Sequence, residues 1–203
     1  MTPKHHRSLS SSASSLSRSL RHHALWMALT MAIGLPTAQA QQVNPDGGTH
    51  TSVLNAANGV PVVNIAAPNG AGVSHNTYQQ FNVGSNGLIF NNSGAISKTQ
   101  LAGYVNGNTN FGTGQSATLI LNEVTSTLPS QLNGAMEVAG NQAQVVVANP
   151  NGISCEGCGF INVSRGVLTT GTPVFGSDGS LSALRVTGGT ITIDGSGDRK
   201  SVV

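Results

Sequence analysis

The sequence has 203 residues, of which 8% are charged and 4% aromatic, with 26 glycines and a net charge of +2. Glycine and asparagine are poor helix formers and good turn formers, while a hydrophobic fraction of 38% is too high for a wholly disordered chain. The charge is segregated: residues 1–23 carry Lys4, Arg7, Arg18 and Arg21 and no acid, whereas from Gln41 onward seven acids face five bases, a balance of −2 that argues against a nucleic-acid partner.

Residues 1–40 read as a signal peptide with a long, basic, serine-rich start. A 12-residue, mostly apolar run from Ala24 to Leu35 is broken by Pro36. Ala38 and Ala40 then supply the small residues a signal peptidase accepts, with cleavage before Gln41. The apolar run is too short for a membrane anchor, which needs about 20 residues.

After a turn cluster at Asn44–Gly48, short strands are expected throughout. Val60–Ile65 comes first, with Pro61 arguing for an edge or an end. Tyr78, Phe81 and Val83 are core candidates, and Gly87–Asn91 places Leu88 and Phe90 on one side and Ile89 on the other. Leu119–Val124 opens with three consecutive apolar residues, as expected when both faces of a strand are covered. Leu128–Leu132 reads as a loop with two buried leucines. Ala135–Val138, Gln144–Ala148, Phe160–Val163, Gly166–Thr169, Leu181–Val186 and Thr190–Ile193 complete the series. No apolar helical period lasts three turns, so the chain is all-β. Stacked coils of a parallel β-helix and a β-sandwich both fit short strands between small polar turns, and stacked asparagines suit the first.

The most specific local feature is Asn149-Pro150-Asn151-Gly152. Proline presets φ at the second position of a turn whose first and fourth positions suit asparagine and glycine. Cys155 and Cys158 follow and are the only cysteines. As a zinc site they supply two of four ligands, with His50 and His75 far off in Gly/Asn/Ser-rich loops, and as a redox pair they lack a strand–helix context. A short-loop disulfide and a reduced pair remain, and an oxidising compartment favours the disulfide. Glu123, Glu137, Glu156, Asp178 and Asp194 are scattered, and no Ser-His-Asp arrangement has an elbow motif. No catalytic residue, metal or cofactor is therefore assigned.

Four segments carry a family resemblance: Tyr78–Ser93 (YQQFNVGSNGLIFNNS), Gln100–Asn108 (QLAGYVNGN), Leu119–Pro173 and Leu184–Gly197 (LRVTGGTITIDGSG). Together they resemble the secretion domain of two-partner-secreted exoproteins, which include filamentous haemagglutinins and contact-dependent growth-inhibition toxins. The resemblance covers nearly all of residues 41–197 and implies a right-handed parallel β-helix with an N-terminal cap and a small extra antiparallel sheet. It implies a secretion signal, the 149–152 turn above all, read by an outer-membrane transporter with periplasmic domains and a β-barrel. It also implies export through the periplasm to the cell surface or medium, and a host or neighbouring bacterial surface as a further partner of the intact protein. A stand-alone adhesin is the alternative, and a β-helical polysaccharide-active enzyme a remote one. Where the family often has Asn-Pro-Asn-Leu, this chain has Asn108-Thr109-Asn110-Phe111, a weaker second motif whose turn lacks the preset of proline. Residues 198–203 depart from the pattern and read as a tail produced by truncation.

Overall fold

The computed structural model describes residues 43–195 of the chain. The expected signal peptide, its expected cleavage site at Ala38, Ala40 and Gln41, and the 198–203 tail lie outside the described residues.

Three sheets wind around one another. Sheet A runs β1 (Val43–Pro45), β4 (Val73–Phe81), β8 (Leu119–Val124), β11 (Ala143–Ala148) and β14 (Val163–Thr169). Sheet B runs β13 (Gly159–Ile161), β10 (Ala135–Gly140), β5 (Leu88–Asn92), β3 (Pro61–Asn64) and β2 (Ser52–Asn55). Sheet C holds β17 (Ile191–Asp194), β12 (Ile153–Glu156) and β9 (Ser130–Leu132). From β8 onward the chain visits A, C and B in turn, and each strand pairs in parallel with the one a coil away. In sheet A, Val145 stands beside Ile120 and Gly166, so successive coils take 25 (145 − 120) and 21 (166 − 145) residues. This is a parallel β-helix. A sandwich would pair its strands antiparallel, and here antiparallel pairing is confined to the ends and the hairpins. β1 against β4 and β2 against β3 cap the N-terminal end of sheets A and B.

The period-2 alternation of each strand sorts its residues between the inside of the coil and the outside. Inside, Tyr78, Phe81, Leu88, Phe90, Ile120, Leu132, Met136, Val145 and Val147 form one core. Phe81 and Phe90 stack at 6.2 Å between centroids, and Tyr78 meets Phe81 edge-on at 4.9 Å. Two hairpins cover what the coil turns outward. β6 (Ser97–Thr99) with β7 (Gly103–Val105) lies over Val62 and Ile89 of sheet B. β15 (Gly171–Phe175) with β16 (Leu181–Val186) lays Leu181 and Leu184 over Val73, Leu121 and Val146 of sheet A. Ile120 therefore points into the core while Leu121 is buried beneath a hairpin, which is why β8 carries apolar residues at consecutive positions.

Two expectations need correction. His75 sits in β4 rather than a loop. Ser130–Leu132 is a strand, not part of a loop, and of Leu128 and Leu132 only Leu132 is buried, whereas Leu128 is exposed. Of the two places expected for Pro61 the structure shows the end: it is the first residue of β3, which has a neighbour on each side.

Candidate functional site

The turn between β11 and β12 begins at Asn149, which is fully buried (0% exposed). The Asn151 N–H donates to Asn149 Oδ1 at 3.0 Å, and the Gly152 N–H donates to the Asn149 carbonyl at 3.1 Å. The asparagine side chain thus closes the turn from within, the Asx arrangement that asparagine favours. Gly152 has φ of +112°, and a Cβ there would stand 3.1 Å from the Thr190 carbonyl, so both backbone angle and space select glycine.

The turn is also tied to neighbouring coils. Asn149 Nδ2 donates to the Leu128 carbonyl and the Ser130 hydroxyl, both at 2.9 Å. Asn151 Nδ2 donates to the Ser126 carbonyl at 2.7 Å. On the following side the Asn149 N–H donates to the Thr169 carbonyl at 2.9 Å, and Ile153 donates to Thr190 at 3.0 Å. One asparagine therefore sets a turn and fixes the register of the coils before and after it.

Asn108-Thr109-Asn110-Phe111 repeats this arrangement without proline. The Asn110 N–H donates to Asn108 Oδ1 at 2.9 Å, and the Phe111 N–H to the Asn108 carbonyl at 3.2 Å. Buried Asn108 sends Nδ2 to the carbonyls of Ile65 and Asn91, each at 2.9 Å, and Asn110 Nδ2 reaches His50 and Ile65. Because the asparagine acceptor closes the turn, the loss of proline leaves its geometry intact.

A third copy stands at Asn69, between β3 and β4. The Ala71 N–H donates to Asn69 Oδ1 at 3.0 Å and the Gly72 N–H to its carbonyl at 2.9 Å. Its Nδ2 holds the Gly179 carbonyl at 2.8 Å, which pins the tip of the β15–β16 hairpin. Pro68 before it and glycine after it are common turn punctuation, and only the cross-chain bond sets this site apart.

Cys155 and Cys158 are joined in a disulfide with Cα atoms 5.3 Å apart, and both sulfurs lie in the buried core. The bridge closes the corner between β12 and β13, and its sulfurs are committed to each other. His75 is engaged elsewhere, its Nε2 2.8 Å from Glu123 Oε2, with its ring 5.0 Å from that of Phe175. Among the described residues, no group of three or more His, Cys, Asp or Glu is placed to hold a metal ion.

Glu137, Asp46 and Asp178 have structural occupations. Glu137 is 3% exposed and accepts the backbone N–H groups of Gln100 and Leu101 at 2.6 and 2.8 Å, holding down the β6–β7 hairpin. Asp46 accepts from the Gly48 N–H at 2.7 Å and from the hydroxyls of Thr77 and Thr125 at 2.5 and 2.7 Å, joining the cap to β4 and the end of β8. Burial opposes its charge, but these hydrogen bonds outweigh that and hold its pKa below the usual value. Asp178 is likewise held low, first by the Ser180 hydroxyl and then by the Ser180 N–H, at the tip of the β15–β16 hairpin. Glu156 and Asp194 are register partners on β12 and β17, and both are exposed. Burial pushes the Tyr78 phenol up, and its hydroxyl donates to Asn122 Oδ1 inside the coil.

Residues 41–201 match the family described as TPS secretion domain. The chain is 55% identical to a tRNA nuclease CdiA of Escherichia coli (strain STEC_O31) over 76% of its length, and 50% identical to a 16S rRNA endonuclease CdiA of Enterobacter cloacae subsp. cloacae over 86%. In each case it spans 5% of the length of the relative. A crystal structure of a filamentous hemagglutinin secretion domain superposes with a TM-score of 0.69 at 45% identity, covering 76% of this chain and 50% of that one.

Proposed function

The chain belongs to the TPS secretion domain family, and we propose that what export reads in it is the Asn149–Gly152 turn, with Asn108 and Asn110 as a second copy. The domain is a secretion domain of the CdiA and filamentous haemagglutinin type and not an enzyme, and proteins of this family are exported through the outer membrane to the cell surface or medium. An outer-membrane transporter is therefore its partner. The nuclease activities in the relatives' names are those of the relatives.

The observation that supports the turn is its locality. Every bond that closes it joins residues no more than three positions apart, so it can form in a chain that has not yet coiled, where loop-closure entropy is small. An unfolded chain arriving in the periplasm then carries a rigid feature between two strand-forming runs, β11 and β12. Extended segments beside such a turn suit strand addition to a sheet edge of the transporter. Once outside, the same Asn149 side chain finds Leu128 and Ser130 and sets the register on which the next coil stacks. The first coils in this way act as a template for the rest.

The test is export of the chain into the medium with and without its transporter, alongside Asn151→Ala. We expect export only with the transporter, and less of the variant. Equal amounts without the transporter would overturn the assignment.

A further inference from the structure

The corner between β12 and β13 is closed differently from the asparagine turns. At Asn69, Asn108 and Asn149 a side-chain oxygen and a backbone hydrogen bond close the turn. Among the described residues, no backbone hydrogen bond joins residue 155 to residue 158. The turn Cys155-Glu156-Gly157-Cys158 is held by its disulfide, with Gly157 at φ of +74°, a left-handed conformation that glycine takes without strain.

Two properties of this bridge set an order of events. It is local, with its cysteines three positions apart, so no coil is needed to bring them together. Its final surroundings are not local. Cys155 stands in register with Leu132 of the preceding coil and Ile193 of the following one. Cys155 and Cys158 are 3% and 6% exposed, in a core they share with Met136 and Ile153. Disulfides are made by thiol–disulfide exchange, in which a thiolate must reach a sulfur of the oxidant, and the rate depends on that access. Coiling with both thiols reduced would seal them away from any protein oxidant.

We propose that Cys155 and Cys158 are oxidised while the chain is still extended, by a disulfide-bearing thiol oxidoreductase of the periplasm, so that the bridge precedes coil stacking and passage through the transporter. This rests on the secretion reading above, in which the chain crosses the periplasm before it coils. One cysteine thiolate attacks the oxidant's disulfide, and a mixed disulfide forms as one oxidant sulfur leaves as thiolate. The second cysteine then attacks the mixed disulfide. The Cys155–Cys158 bond forms, the oxidant's S–S bond breaks, and two electrons and two protons pass from the cysteines to the oxidant's two thiols. The chain reaches the transporter with this corner already closed.

The test has an arm in cells and an arm with purified chain. In cells the 203-residue chain is produced without its transporter, and free thiols in the periplasmic chain are capped with an alkylating reagent. We expect the bridge to be present already, and free thiols there overturn the order. Purified chain is unfolded with reductant and diluted to refold without oxygen. A periplasmic oxidoreductase in its disulfide form is added either with the dilution or after the chain has coiled. We expect bridging to be slower by about 100-fold or more in the second case, because a buried thiol reacts only as the coil opens. Equal rates overturn the order. A reduced chain that does not coil until the oxidant arrives supports it. Export of the chain without any transporter overturns the secretion reading alone, since the refolding arm does not depend on it.

Discussion

Asn108 and Asn149 make the same set of hydrogen bonds from different corners of the coil, Asn149 between β11 and β12 and Asn108 between β7 and β8. Each accepts an N–H from the residue two ahead on its side-chain oxygen and one from the residue three ahead on its carbonyl. Each then sends its amide to two oxygens of other segments. One turn has proline at its second position and the other has threonine, so asparagine is the determinant.

That equivalence predicts a stabilising substitution. Thr109 is exposed and occupies the place of Pro150. Thr109→Pro should raise stability by roughly 0.5–1 kcal/mol by restricting the unfolded chain, read as a higher urea midpoint at unchanged slope. A lower midpoint would mean that the two turns differ in backbone.

Removing the asparagine should do the reverse. Asn149→Ala leaves the buried Ser130 hydroxyl and the part-buried Asn151 N–H and Leu128 carbonyl without their partner, at a cost of about 2–3 kcal/mol. Asn149→Asp keeps the acceptor and loses the donor, so it should fall between the two in a denaturant titration.

The β6–β7 hairpin should depend on one carboxylate. Glu137→Gln replaces one of two acceptor oxygens with an amide that faces an N–H, which should cost about 2 kcal/mol. Native-state hydrogen exchange at Gln100 and Leu101 should accelerate well before that of the sheets, and protection equal to that of the parent would contradict the anchoring role.

Acid should loosen the N-terminal cap through Asp46. Its pKa is held below the ordinary value of 3.8, so folding favours the charged form. The stability it contributes is complete above that ordinary value and is lost as the pH drops through the lower, folded value. Stability should therefore hold above about pH 5 and decline below about pH 4. Asp46→Asn, which has no charge to lose, should show a shallower acid limb.

How much of this could be read in the sequence depended on what each strand faces. β8 was legible because Leu119, Ile120 and Leu121 are apolar on both parities, the mark of a strand covered on both sides. β4 was legible only in its second half: Ser74 and Asn76 point inward, where Asn76 is satisfied by Thr51, Ala66 and Leu121, so the inner face of the strand looks polar. β9 was hidden for the same reason, since Ser130 faces inward to meet Asn149. The coil period was masked by the β15–β16 hairpin. Ile153 pairs with Ser130, 23 residues back, but with Ile191, 38 residues ahead. The Asn149–Gly152 turn stood out because proline and glycine stand inside it, whereas its counterparts at Asn108 and Asn69 are set apart by side-chain hydrogen bonds to distant segments.

If asparagine-closed turns are what export reads, removing either asparagine must lower the amount of chain exported. The most direct measurement is the amount of chain exported with its transporter for Asn149→Ala and Asn108→Ala, set against a surface substitution such as Thr113→Ala. Export should fall for both asparagine variants, and further for Asn149→Ala, while Thr113→Ala is exported as the parent is. Parental export of both asparagine variants would contradict it.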